Sequence, residues 1–155
     1  LPRLRDALTS SARPVLVELL DDGPVDTMDA EELSSSCRIA GAAALLLPVS
    51  LLGPVAKEQA LADGSFPGPL PLVCDLRSTE RLLPADDLSN IRNTGAAAVA
   101  VGQLLLHGGA AVEMVGRARQ ADLEVVALVG SMADGAAAEA AGVCAVVYDE
   151  CAEAA

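Results

Sequence analysis

The chain has 155 residues, enough for one domain and short of two, with 22 acidic side chains against ten basic ones and a formal net charge of −12. No run of Lys and Arg offsets that charge, which argues against a nucleic-acid backbone or an anionic membrane surface as partner. Apolar residues make up 52% of the chain and aromatics 1%, Phe66 and Tyr148 being the whole set, so the core must be built from Leu, Val and Ala and no site that stacks rings is expected.

Short runs of Val and Leu alternate with helix-length stretches. Residues 14–20 read as a first strand, bounded by Pro14 and by the turn Asp21-Asp22-Gly23-Pro24. A helix is predicted over 29–40, started by Thr27 or Asp29 with acids in its first turn. A strand over 43–49 and a helix over 53–62 follow, then a strand over 70–76, a helix over 85–93 and a strand over 97–101. Residues 110–120 (helix), 124–129 (strand), 134–141 (helix) and 143–148 (strand) complete the series. The strands lack strict polar alternation, as expected when both faces are covered, and alternation of strand with helix implies βαβ units around a parallel sheet.

One phrase recurs. Ala40-Gly-Ala-Ala-Ala-Leu-Leu-Leu47, Thr94-Gly-Ala-Ala-Ala-Val-Ala-Val101 and Ala141-Gly-Val-Cys-Ala-Val-Val-Tyr148 each end a helix on glycine, pass a small residue and begin an apolar strand. The glycines, Gly41, Gly95 and Gly142, stand 54 and then 47 residues apart with one other strand between each pair. A two-strand period suits a barrel whose alternate strands fill alternate core layers. The fold class expected is therefore α/β, a parallel (βα) barrel of TIM type with six βα units readable and the barrel incomplete. It is read as a single domain over 1–155, part of a longer chain or completed by a partner. A doubly wound regulatory domain is the competing reading, weakened by the missing glycine-rich first turn.

Cys37, Cys74, Cys144 and Cys151 form no C-x-x-C pair and have no histidine-rich partner set, so no metal site is expected. Cys74 and Cys144 lie in apolar runs and are expected buried, reduced and unreactive. Reduced thiols suit a reducing compartment, cytoplasm or plastid stroma, which the sequence does not separate. No apolar run approaches the length needed to span a bilayer. The chain starts at Leu1 without a signal or transit pattern and is read as a mature product or a part of something longer. No dinucleotide, P-loop or nucleophile-elbow motif is present, and no cofactor is expected.

Residues 15–149 resemble indole-3-glycerol phosphate synthase and its phosphate-binding barrel relatives. The resemblance rests on Asp29-Ala-Glu-Glu-Leu-Ser-Ser-Ser-Cys-Arg-Ile-Ala-Gly-Ala-Ala-Ala-Leu45, on Pro71-Leu-Val-Cys-Asp-Leu76, on Ile91-Arg-Asn-Thr-Gly-Ala-Ala-Ala-Val99 and on Leu123-Glu-Val-Val-Ala-Leu-Val129. It implies a glutamate and a lysine on the first strand, where this chain has Glu18 and Leu20. It implies a general-acid lysine on the third strand, placed at Cys74 with Asp75 retained beside it, and a fifth-strand glutamate, placed at Leu128. The family's asparagine-rich end of the sixth strand corresponds to Tyr148-Asp149-Glu150. Closing and decarboxylating an anilino-sugar phosphate needs a protonated amine and a cationic pocket, and Leu or a thiol supplies neither.

The expected role is accordingly a non-catalytic binding or scaffold protein, a pseudoenzyme of that ancestry. The alternative is a diverged lyase of the tryptophan pathway or another phosphate-binding barrel enzyme. Glu18 and Asp75 are the relic catalytic candidates, since a carboxylate within an apolar strand is either paired or functional. His107, Gly108 and Gly109 follow the fourth strand and open a helix, where free N–H groups and the only imidazole suit an anionic ligand. The helices bearing Arg38, Lys57, Arg117 and Arg119 hold much of the scarce positive charge and form the expected dock for an acidic partner. A barrel of six strands leaves two edges to be covered, by a protein partner or by further residues of the same chain.

Overall fold

Strands of three to six residues, each followed by a chain reversal long enough to hold a helix, have only one economical arrangement: parallel pairing with right-handed crossovers. The computed structural model, which describes residues 2–20, 27–79, 81–107 and 109–148, has that arrangement. β1 (Leu16–Glu18), β2 (Ala44–Leu47), β3 (Leu72–Leu76), β4 (Ala98–Gly102), β5 (Glu124–Val129) and β6 (Ala145–Tyr148) pair parallel in chain order. The helices are α1 (Leu4–Thr9) ahead of β1, α2 (Thr27–Ile39), α3 (Val49–Leu61), α4 (Ala85–Thr94), α5 (Gln103–His107), α6 (Ala111–Gln120) and α7 (Met132–Ala141). The sheet curls into a half-barrel, and β2 neighbours β3 as a barrel requires. A doubly wound sheet would reverse its strand order, and none of the six strands does.

Period-two alternation divides the strand residues between two apolar clusters. Leu45, Leu47, Leu72, Cys74, Val99, Val101, Val125 and Ala127 face the helices, meeting Leu52 and Val55 of α3, Leu88 of α4 and Met114 of α6. Ala44, Leu46, Val73, Ala98, Ala100 and Val126 line the inner, concave face. Three of those six are alanine, which lets a curled sheet approach itself. Burying one of the large aliphatic side chains on the helix side contributes about 1.5–3 kcal/mol. In the recurring phrase, Gly41, Gly95 and Gly142 all take positive φ, at 90°, 130° and 94°, which is why the repeat needs glycine there.

The N-terminal end of the concave face is filled by α1, which the sequence did not reveal. Six residues are too few to show a period, and this helix is held by tertiary contacts. Leu4 is 1% exposed and Leu8 packs beside it, while the backbone N–H of Arg5 donates to the Glu124 carboxylate at 3.2 Å. α5 likewise falls outside the elements that the sequence predicts. α3 begins at Val49 rather than 53, with Pro54 inside it and Pro48 as its N-cap residue. Taking Pro54 for a first-turn proline misplaces the start, because burial of Leu51 and Leu52 holds an extra turn ahead of it.

Helix α2 is tied to α3 by a polar chain. Gln59, 3% exposed, donates to Ser34 Oγ at 2.6 Å and accepts from the Leu70 N–H at 2.7 Å, while Ser34 donates to Glu58 at 2.7 Å. Arg38 donates to Glu58 at 2.7 Å and to the Pro67 carbonyl at 2.9 Å. Arg117 pairs with Glu113 one turn back. Two of the cations expected to receive an acidic partner are thus spent inside the molecule.

At the top of β4, a Cβ built on Gly102 lies 2.6 Å from the Arg77 carbonyl oxygen, a backbone atom that cannot step aside. Gly102→Ala should cost about 1–3 kcal/mol by overpacking, whereas Gly116→Ala, exposed on α6 with open space around it, should gain up to about 1 kcal/mol from helix propensity. Urea unfolding of both variants checks this, and equal effects would contradict the close approach.

Candidate functional site

In a parallel sheet with crossover helices, the C-terminal strand ends carry the loops free to hold chemistry. Glu18 closes β1 there, and Asp75 sits one residue before the end of β3. By alternation both stand on the concave face. Arg77, the residue that follows β3, bridges them. Its Nε lies 2.9 Å from Asp75 Oδ2 and 3.1 Å from Oδ1, its backbone N–H donates to Oδ1 at 3.0 Å, and its terminal nitrogen reaches Glu18 Oε1 at 2.5 Å. Burial works against the Arg77 charge, but Asp75 and Glu18 outweigh it and hold the guanidinium above its ordinary value. The guanidinium is a fixed cation with no proton to give, so the group is an ion-pair clamp and not an acid–base pair. Gly102 is what lets the Arg77 backbone descend onto β4.

Sequence reading found Glu18 and Asp75 but not Arg77. A signal was present: Asp75 and Arg77 are two residues apart at a strand end, where side chains of that spacing share a face. Cys74 is fully buried among the helix-facing side chains, so the inward position of β3 belongs to Asp75, one residue on. Leu20 is exposed, and Leu128 packs on the concave face.

His107 does not open α6. It ends α5, two-thirds exposed, with Nε2 3.5 Å from Asp134 Oδ1 on α7, and it makes no recorded contact with the Arg77 group. The Asp134 N–H in turn donates to the N-cap Ser131 Oγ at 3.2 Å. Gly109, at φ 71°, precedes α6, while Gly108, Asp149, Glu150, Cys151 and the turn 21–24 lie outside the described residues. Among the described residues no three His, Cys, Asp or Glu side chains gather as a metal site, and no helix is long and apolar enough to cross a membrane.

The opposite end of the sheet holds something the sequence did not suggest. Arg3, Arg92 and Arg119, remote in the chain, line one cleft of about 350 Å³ with Pro2, Ala97, Asp122, Leu123 and Glu124. A second cleft of about 240 Å³ shares Arg3, Arg119, Leu123 and Glu124 and adds Arg5, Asp6 and Cys144. Arg92 pairs with Asp122 at 3.2 Å and caps the Ala96 carbonyl. Asp122 is held at φ 59°, a left-handed conformation at the α6–β5 turn.

No family model matches the chain, and no curated protein matches it. Solved structures share its fold. The N-acetylmannosamine-6-phosphate 2-epimerase from Clostridium perfringens superposes with a TM-score of 0.68 at 15% identity, over 94% of this chain and 64% of its own. The deoxyribose phosphate aldolase from Aeropyrum pernix gives 0.64 at 13% identity, over 94% of this chain and 69% of its own. These are aldolase-type TIM barrels, and this chain spans about two thirds of each.

Two thiols bear on reactivity. Burial pushes the Cys74 thiol up to about 11, helped by the Asp75 charge, and burial with Glu124 pushes Cys144 up to about 12, although Cys144 is only half-buried rather than buried as expected. The folded chain keeps a proton on Cys74 that the unfolded chain sheds near 9.0, so stability is whole below pH 9 and falls as pH rises through about 11, by about 2–3 kcal/mol for a two-unit shift. Urea unfolding at pH 8 and at about pH 10.5 should show the loss, and Cys74→Ala should reduce it and leave the part due to Cys144; a slope unchanged in that variant would count against the burial argument.

Proposed function

We propose that this chain is a non-catalytic binding or scaffold module, a TIM-barrel segment of indole-3-glycerol phosphate synthase-like ancestry whose open edges are closed by a protein partner or by further residues of the same chain. The observation that carries this reading is the apolar flank at β1. Val15 and Leu20 are each 56% exposed, Ile39 of α2 is 70% exposed, and an apolar groove of about 350 Å³ is lined by Val15, Val17, Cys37 and Ala40. In a closed barrel that flank would be covered by the last βα unit. Unpaired strand N–H and C=O groups beside exposed valines favour the same cover. The loss of chemistry supports it from the other side. Glu18 and Asp75 are both taken by Arg77, and the only lysine, Lys57, belongs to α3 and not to any strand end.

A second reading is retained because Glu18 and Asp75 reach the end of the sheet where such barrels place their chemistry. It is a diverged lyase or other phosphate-binding barrel enzyme, with His107 and Gly109 as the ligand contacts near α6. One cation, Arg77, serves both carboxylates and leaves a net charge of −1 there, which weighs against it, since an unbalanced acid near an anionic substrate costs about 1–4 kcal/mol per close pair.

Ile39→Asp and Leu20→Lys, alone and together, test the scaffold reading. At exposed positions they should change stability by no more than about 0.5 kcal/mol, yet they should reduce the self-association and hydrophobic-dye binding expected of the purified chain. A dye-silent monomer that forms indole-glycerol product, with the activity abolished by Glu18→Gln, would reverse the order of the two readings.

A further inference from the structure

Net charge makes most of this surface hostile to anions, so the places where cations gather without neutralisation stand out. Ten basic side chains serve the whole chain, and Arg38, Arg77, Arg92 and Arg117 are spent on carboxylates. Arg3 and Arg119 are not. Among the described residues neither has a carboxylate within ion-pair distance. The guanidinium of Arg119 donates to the Gly142 carbonyl at 3.2 Å, which anchors it without cancelling its charge. Both line the N-terminal cleft and its neighbour. Three acids line the two clefts with them, Asp6, Asp122 and Glu124, and two of these are already engaged. Glu124 accepts from the Arg5 backbone N–H, and Asp122 holds Arg92.

We propose that this cleft, at the N-terminal ends of β4 and β5, binds a small oxyanion, a phosphate ester or a carboxylate, between Arg3 and Arg119. A volume of about 350 Å³ suits a metabolite rather than a polypeptide. Guanidinium forks match the paired oxygens of carboxylate and phosphate, and here two exposed arginines without an ion-pair partner line one space. Arg92 is a third, half-committed cation that an entering anion would share with Asp122. The site lies a full strand length from the Arg77 clamp, about 15 Å for five residues of β4, so it does not depend on the proposed scaffold role.

The test is calorimetric or NMR titration of the full chain with inorganic phosphate and with succinate, against chloride at matched ionic strength. Saturable binding of either oxyanion, at millimolar concentration or better, is expected. Arg3→Gln and Arg119→Gln should each weaken it about tenfold, Asp122→Asn should tighten it by releasing Arg92, and Arg77→Gln should leave it unchanged. Among the described residues the Arg3 side chain makes no hydrogen bond or ion pair, so its variant stays informative even where Arg119→Gln disturbs the Gly142 anchor. Preference for phosphate over succinate, or the reverse, identifies the ligand class within the proposal. No saturation by either up to about 10 mM, equal loss in Arg77→Gln, or no tightening in Asp122→Asn would overturn it.

Discussion

Parallel pairing in chain order constrains everything else in this molecule. A parallel strand cannot be joined to its neighbour by a tight turn, so each pair needs a crossover, and a crossover helix covers one face of the sheet. The other face must then be dry by its own means. Here it is closed by curvature, by alanine at Ala44, Ala98 and Ala100, and by Leu4 of α1 pressed into the N-terminal opening. The same curvature that buries the inner face of β2 to β5 cannot finish at β1 and β6, whose residues are half-buried or exposed. The tertiary problem the chain leaves open is set by strand number and not by any weakness of its centre.

Charge follows from that geometry. An inner face lined with alanine and valine has no room for solvated carboxylates, so Glu18 and Asp75 can stand there only at the rim and only with a cation. Arg77 supplies it, and its backbone reaches the rim only because Gly102 has no side chain. The clamp is partly exposed, and its contribution to stability is correspondingly small, of order 1 kcal/mol or less. Its chemical effect is larger, since it converts two candidate acids into the ends of an ion pair. At the other end of the strands the balance reverses, with arginines in excess of available carboxylates. A half-barrel thus presents two unlike ends, one where carboxylates outnumber arginine and one where arginines outnumber carboxylates.

The likeness to phosphate-metabolising barrels is a likeness of fold, at 13–15% identity over about two thirds of their length. It explains the strand order, the helical layer and the repeat. What the loops do is set by side chains at particular places, and those differ here from what the resemblance implied.

The sequence by itself determined the element series. All six strands, their parallel order and five of the seven helices were legible, because apolar runs bounded by glycine and proline report local structure, and the phrase around Gly41, Gly95 and Gly142 reports a recurring backbone conformation. Burial of Cys74 followed from its apolar setting. Tertiary structure decided the rest. α1 and α5 are too short to carry a period and exist because the sheet holds them. The inward place on β3 fell to Asp75 instead of Cys74, since a one-residue slip in a strand exchanges faces and no composition fixes it. Arg3, Arg92 and Arg119 are separated by up to 116 positions and share a cleft only because β4 and β5 begin side by side. Local propensity is written in neighbouring residues. Which distant charges meet depends on register and curvature, which only the folded sheet establishes.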